Sequence, residues 1–351
     1  MTAPPASLLS LATASPPHVV TQDAVVSAAR ALFGPRYSDF EEMAAVFANA
    51  GITSRRLAQP VEWYLQPRDW PQRTTAYLEA AGPLFEQAAG QALQAAGLEG
   101  RDVDAIVTVS STGIATPSLE ARAGTAMGFR PDVRRTPVFG LGCAGGVSGL
   151  GLAARLARAE PGRTVLLVVI ELCTLSFRLD ELSKVNMVAT ALFGDGAAAA
   201  VVRTGSDGLL EIEAEAEHTW PDTLDIMGWR VDEAGFGVIF DRAIPPFARR
   251  HMGPAMDAML SGVGLSRADV GRFVCHPGGA KVVEALEGAL GIAAGSLDAE
   301  RGVLAEYGNM SAPTALYVLE RVLEGPTPER LFLTALGPGF TASGVSLLRR
   351  Q

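Results

Sequence analysis

The stretches Gly97-Leu98-Glu99-Gly100-Arg101-Asp102-Val103-Asp104-Ala105-Ile106-Val107 and Gly264-Leu265-Ser266-Arg267-Ala268-Asp269-Val270-Gly271-Arg272-Phe273-Val274 are two versions of one pattern, 167 positions apart. In each, a helix-like segment ends at a glycine and a short loop leads into an apolar strand. At the same offset, Arg163-Thr164-Val165-Leu166-Leu167 falls on Arg330-Leu331-Phe332-Leu333-Thr334. These strands follow the helical runs Val147 to Arg158 and Ala312 to Leu323. Helices alternating with buried strands predict a duplicated α/β fold with mainly parallel sheet. Helix-turn-strand units also resemble one another by chance, so the repeat needs support from chemistry. The offset places Cys143 on Met310, the neighbour of Asn309. In two halves related by a pseudo-twofold axis, loops at corresponding strand ends converge, and an active site belongs at that junction.

A chain of 351 residues with 48% hydrophobic and 19% charged residues can bury a large core, as one domain or two joined halves. The net charge of -9 argues against a general nucleic-acid or anionic-membrane surface. Lysine occurs only at Lys184 and Lys281, so arginine carries the positive charge. Three cysteines, Cys143, Cys173 and Cys275, are an odd number without metal-ligand spacing, which predicts a reduced cytoplasmic protein and no metal. The N-terminus lacks the basic and apolar regions of a signal peptide. The apolar run Val165 to Ile170 is too short to cross a bilayer and is closed by Glu171, so no membrane segment is expected.

Three segments have the composition of catalytic loops. In Phe139-Gly140-Leu141-Gly142-Cys143-Ala144-Gly145-Gly146-Val147, one cysteine stands among small residues at the start of a helix. Backbone N–H groups there favour a thiolate, and the glycines admit a bulky acyl carrier. Cys275-His276-Pro277-Gly278-Gly279 sets a histidine at a strand end before a Gly-rich turn. Glu306-Tyr307-Gly308-Asn309-Met310-Ser311 sets an asparagine beside a glycine, ahead of a helix. Taken singly, each has a bland alternative: a packed structural cysteine, a satisfied histidine, a simple turn.

Together, the words GCAGG, HPGG and YGNMS at these spacings resemble the type III polyketide synthase family, the chalcone and stilbene synthase-like enzymes, in its bacterial branch. The similarity runs from about residue 50 to the end. It includes Leu192-Phe193-Gly194-Asp195-Gly196-Ala197-Ala198, Gly337-Pro338-Gly339, Ser111-Thr112-Gly113 and Glu171 to Arg178. The resemblance implies a thiolase-like duplicated fold in five αβαβα layers. The N-terminal half, 1–206, would carry the nucleophilic cysteine, and the C-terminal half, 207–351, the histidine and asparagine. It also implies a homodimer acting on acyl-CoA and malonyl-CoA, with no cofactor beyond these thioesters.

What the resemblance implies for single residues is specific. Cys143 would hold the acyl chain, with His276 and Asn309 supporting thiolate and enolate. Phe193 matches a gating phenylalanine, whose alternative is ordinary core packing. Val238 stands where the family has a second gating aromatic, a departure that widens the entrance. Cys173, Ser176 and Ser311 match pocket-lining positions, and Trp229 replaces a small residue. Thr116, before Pro117, matches the residue that a neighbouring subunit contributes to the pocket. Arg55 and Arg56 resemble a basic segment that meets CoA phosphates, or else form a solvated charge pair. Arg249-Arg250-His251 is a weaker candidate of the same kind.

A ketoacyl-carrier-protein synthase of the initiating type would use the same three residues for one elongation. The Gly337-Pro338-Gly339 loop favours the polyketide synthase. A hydroxymethylglutaryl-CoA synthase lacks its catalytic glutamate here, and a non-catalytic scaffold subunit has no reason to keep all three residues. The segment Asp222 to Trp229 followed by Ile244-Pro245-Pro246 looks bacterial. Fatty acyl-CoA starters giving alkylpyrones or alkylresorcinols are the expectation. A malonyl-primed naphthalene or phloroglucinol product is the alternative.

Overall fold

The computed structural model describes residues 4–36, 40–181, 183–205 and 207–350. The chain opens with β1 (Ala6–Ala14), then a ribbon of β2 (His18–Thr21) and β3 (Ser54–Leu57) around α1 (Gln22–Phe33) and α2 (Phe40–Ala48). It continues through α3 (Val61–Tyr64), α4 (Trp70–Ala95), β4 (Ala105–Val109), α5 (Leu119–Met127), β5 (Arg134–Val138), α6 (Gly145–Ala159), β6 (Val165–Leu172), α7 (Lys184–Leu192) and β7 (Asp195–Thr204). The second half has β8 (Leu210–Thr219), the ribbon β9 (Met227–Asp232) and β10 (Gly235–Phe240), then α8 (Ile244–Gly262) and β11 (Arg272–Cys275). It closes with α9 (Ala280–Leu290), α10 (Asp298–Tyr307), α11 (Thr314–Leu323), β12 (Arg330–Gly337) and β13 (Thr341–Leu348).

The strands β11-β12-β13-β8-β1-β7-β6-β4-β5 form one continuous sheet. Its halves join where β1 pairs antiparallel with β8 from Ala6↔Ile212 to Leu8↔Leu210. The expected parallel strands are confined to β4–β5, β4–β6 and β11–β12. Every other pairing in this sheet is antiparallel, a correction to the sequence reading. For β12 and β13 the reason is local: the three-residue link from Pro338 to Phe340 can only return the chain antiparallel.

Strand alternation builds the layers. In β6 every residue is buried, and Leu166, Val168 and Ile170 pack with Phe85 and Ala88 of α4. Val165, Leu167 and Val169 face the other way, onto Val147, Leu150 and Ala154 of α6. In the second half Phe273 and Phe332 pack with Met256 and Val283 of α8 and α9, while Val274, Leu331 and Leu333 join Leu316 and Leu319 of α11. The order is therefore helix, sheet, central helices, sheet, helix, the five-layer thiolase-like arrangement. At the centre the N-terminal ends of α6 and α11 nearly touch. A Cβ on Gly146 would stand 2.3 Å from the Ala312 carbonyl oxygen, so only glycine permits this approach. Among the described residues, no helix is long and apolar enough to cross a membrane.

Candidate active site

Cys143 lies in a single 3-10 turn, Gly142–Ala144, that runs directly into α6, and it is 6% exposed. Gly142 has φ +47°, and Ser111 Oγ accepts from the N–H groups of Gly140 (3.0 Å) and Gly142 (3.4 Å). Ser111 is itself fixed: its N–H donates to both oxygens of the Glu171 carboxylate at 3.1 and 3.0 Å. Thr112 Oγ1 donates to the same carboxylate at 2.7 Å. A buried carboxylate thus anchors the loop that shapes the nucleophile's turn. In the sequence Glu171 closes an apolar run and opens the family-matching segment Glu171 to Arg178, and an acidic residue at the end of a fully buried strand is the signal for this anchoring role.

Hydrogen bonds join the asparagine and histidine loops, and Ser311, next to Asn309, lines one cavity together with Cys143. The Ser311 N–H donates to Asn309 Oδ1 (2.8 Å), and Asn309 Nδ2 donates to Gly278 O (3.2 Å). Gly278 N–H closes on His276 O (3.1 Å), and His276 N–H donates to Thr334 O of β12 at 2.8 Å. The far end of β12 reaches the nucleophile, since a Cβ on Gly337 would lie 2.6 Å from Ala144 Cβ. Asn309 also bridges Phe193, with Gly194 N–H donating to Asn309 O at 3.0 Å.

Burial dominates the electrostatics. It pushes the Cys143 thiol up to about 11, against the Ser311 hydroxyl and with a further rise from Glu171. It pushes Glu171 up to about 8, against the hydrogen bonds from Ser111 and Thr112. It lowers His276 to about 3, so the imidazole is neutral at pH 7. Both ring nitrogens of His276 are buried without a protein hydrogen-bond partner. Such a group stands ready for a ligand's polar atom.

Cys143 opens into a narrow cavity of about 40 Å³ lined by Ser111, Thr112, Cys173, Phe193, Trp229, Val238 and Ser311. Trp229 meets Phe193 edge-on and stacks obliquely on Phe236, so the aromatic wall comes from the ribbon as well as from Phe193. A second chamber of about 90 Å³ lies beyond Cys173 and Phe193, which line both, among Val25, Ala28, Leu32 and Phe177. Ser176 belongs to this second chamber, not to the first, and its hydroxyl donates to Cys173 O at 2.6 Å. Thr116 is exposed on the loop before α5 and does not line the Cys143 cavity of its own chain.

Arg55 corrects the sequence reading. It is 2% exposed, and its guanidinium donates to the carbonyls of Thr190 (2.7 Å), Ala191 (2.7 Å) and Phe193 (2.9 Å), and to Gln22 Oε1. Those carbonyls end α7, so the cation caps a helix C-terminus and cannot reach a CoA phosphate. Alternation along β3 turns Arg56 outward, over the Tyr307 ring at 5.6 Å. Arg249 and Arg250 lie exposed on α8, and His251 stacks on Phe247.

Residues 69–207 match the N-terminal domain of chalcone and stilbene synthases, and residues 211–349 match the C-terminal domain. The chain is 40% identical over 349 residues to a 1,3,6,8-tetrahydroxynaphthalene synthase of Streptomyces peucetius subsp. caesius, covering 97% of this chain and 92% of that protein. It is 28% identical to the alpha-pyrone synthesis polyketide synthase-like Pks18 of Mycobacterium tuberculosis, covering 99% and 93%. The crystal structure of 1,3,6,8-tetrahydroxynaphthalene synthase from Streptomyces coelicolor A3(2) superimposes with a TM-score of 0.93 at 28% identity, covering 98% of this chain and 99% of that one. The matched halves, the five layers and the cysteine, histidine and asparagine loops agree: the chain belongs to the chalcone and stilbene synthase family and is a type III polyketide synthase.

Proposed function

We propose that the enzyme primes on a long-chain fatty acyl-CoA, extends it with malonyl-CoA and closes the chain to an alkylpyrone or alkylresorcinol. The observation that supports this starter is the second chamber beyond Cys173 and Phe193. Its walls are mostly apolar, and each CH₂ of a tail moved there from water contributes about 0.8 kcal/mol. A tail passing between Cys173 and Phe193 leaves the thioester carbonyl at Cys143 and the growing polyketide in the first cavity.

In this reading His276 takes the Cys143 proton as the thiolate attacks the acyl-CoA, and CoA leaves as a thiol. Neither ring nitrogen of His276 has a protein partner, which leaves one free to take that proton when the acyl-CoA is bound. Malonyl-CoA then loses carbon dioxide, and the electrons of the broken C–C bond form an enolate. His276 and the amide of Asn309 donate hydrogen bonds to the enolate oxygen. The enolate carbon attacks the Cys143 thioester, the thiolate leaves, and the chain is longer by two carbons. Reloading onto Cys143 repeats the cycle. Phe193 supplies an apolar wall that favours release of carbon dioxide over retention of a carboxylate. Arg56 is the basic residue of the pair left to meet CoA. The working unit is a homodimer in the cytoplasm, supported by the exposed Ile114 and Phe139 close to the edge strand β5 and by three free cysteines.

A malonyl-primed route to a naphthalene is the second reading. It is favoured by the relative at 40% identity and by the hydroxyls of Ser111, Thr112 and Ser311 around Cys143. Malonyl-CoA with starters from acetyl to stearoyl, followed by mass spectrometry, decides between them. Products peaking at long acyl chains are expected; a product from malonyl-CoA alone, unaffected by any starter, supports the second reading instead.

A further inference from the structure

Glu300 lies in the first turn of α10, and its side chain is fully buried. One carboxylate oxygen accepts from the Cys275 N–H at 2.9 Å, and the other meets the Arg272 guanidinium at 3.0 Å. Both partners belong to β11, the edge strand of the sheet. An edge strand has neighbours on one side only, so its outward N–H groups need another acceptor when buried. Cys275 is the last residue of that strand, and the following N–H, of His276, turns back to Thr334 O of β12. The Glu300 carboxylate therefore holds one side of the strand end while β12 holds the other, with His276 the next residue along.

The same helix delivers the second group of the pair. α10 ends at Tyr307, and Gly308 with φ +71° hands the chain to Asn309. Its N-terminal turn is thus clamped to the strand of His276, and its C-terminal end carries Asn309. Arg272 is committed within this cluster, to Ser296 O and Asp298 as well as Glu300. Burial raises the Glu300 carboxyl to about 7, opposed by the Cys275 N–H and by Arg272.

We propose that Glu300 is a positioning residue for the condensation. By bonding Cys275 N–H it fixes α10 against β11, and so sets the His276 imidazole at the right separation from the Asn309 amide. It touches no substrate. The proposal rests on the roles assigned above to His276 and Asn309.

The test compares the full-length enzyme with Glu300→Ala, Glu300→Gln and Arg272→Gln. Two quantities are measured: steady-state decarboxylation of malonyl-CoA, and the pH profile of Cys143 alkylation by iodoacetamide. In Glu300→Ala, kcat is expected to fall at least about tenfold with KM within about twofold. The apparent pKa of Cys143 alkylation shifts by roughly half a unit or more. Glu300→Gln keeps an acceptor for Cys275 and restores most of kcat, and Arg272→Gln stays near wild type. If Glu300→Ala does not fold, Glu300→Asp replaces it, because its shorter side chain cannot reach Cys275, and the same loss is expected. A kcat and an alkylation profile unchanged in the Ala or Asp variant overturn the proposal, as does a Gln variant no better than Ala. Failure of the wild type to decarboxylate malonyl-CoA overturns the assigned roles instead, and the alkylation profiles then still report on Glu300.

Discussion

The rings of Phe193 and Trp229 meet edge-on with centroids 6.4 Å apart and planes at 65°, and both line the cavity that Cys143 opens into. One comes from the turn after α7, the other from the ribbon strand β9, so two distant parts of the chain set the width of that cavity. Such a contact holds both rings in place beyond what area burial alone provides.

Trp229→Ala removes half of this wall. It should raise the number of malonyl units added, moving products from triketides toward tetraketides, without changing which starter is preferred. Mass spectrometry of the product distribution checks this. An unchanged distribution would show that Trp229 does not bound the growing chain.

Filling the second chamber should have the opposite signature. Ala28 lies half-buried on α1 and lines that chamber, so Ala28→Phe adds a ring there with little overpacking elsewhere. The preferred starter should shorten by several carbons, and kcat/KM for stearoyl-CoA should fall about tenfold or more, each tenfold being roughly 1.4 kcal/mol. Activity with acetyl-CoA should survive. Competition assays with mixed acyl-CoA starters measure both.

The two arginines of β3 should separate cleanly. Arg55→Ala strips the cap from α7 and leaves three carbonyls of its last turn without a cation. It should cost about 3 kcal/mol in urea unfolding. Arg56→Ala should leave stability within about 0.5 kcal/mol, since Arg56 meets the Tyr307 ring at a partly exposed site. It should raise the KM for malonyl-CoA. The reverse pattern would restore Arg55 to the CoA site.

His276 makes stability depend on pH. Its folded-state pKa of about 3 lies below the ordinary 6.5, so between these values the unfolded chain binds a proton that the folded one does not. Stability from the neutral ring is complete above pH 6.5 and is lost as pH falls toward 3. Between pH 7 and 5 the loss is about 2 kcal/mol. Urea titrations of wild type and His276→Gln at both pH values test this, and the variant should lose less by about that amount.

Much of this site was legible in the sequence, and the reasons are physical. Cys143, His276 and Asn309 stand out because each sits beside glycines at the end of a buried element, and such junctions need recognisable turn chemistry. The duplicated fold was legible because β4 and β11 begin at one offset, residues 105 and 272, after helices that also end in register, at 95 and 262. The antiparallel strands were not, because apolar runs such as Val165 to Ile170 read alike in either direction. Arg55 was misread because a two-residue period decides which of two adjacent arginines points inward, and a strand of only four residues gives that period little room to show. The anchoring roles of Glu171 and Glu300 leave no pattern in sequence, because the backbone N–H groups they accept from lie 60 and 25 residues away along the chain.

In the proposed function Cys143 carries a fatty acyl chain. Intact-protein mass spectrometry after mixing the enzyme with palmitoyl-CoA, without malonyl-CoA, reads this out. The predicted result is one palmitoyl adduct per chain, absent from a folded Cys143→Ala variant that also makes no condensation product. An adduct that persists in Cys143→Ala, or wild-type enzyme that acquires only malonyl- or acetyl-derived mass from a mixture of CoA esters, would contradict it.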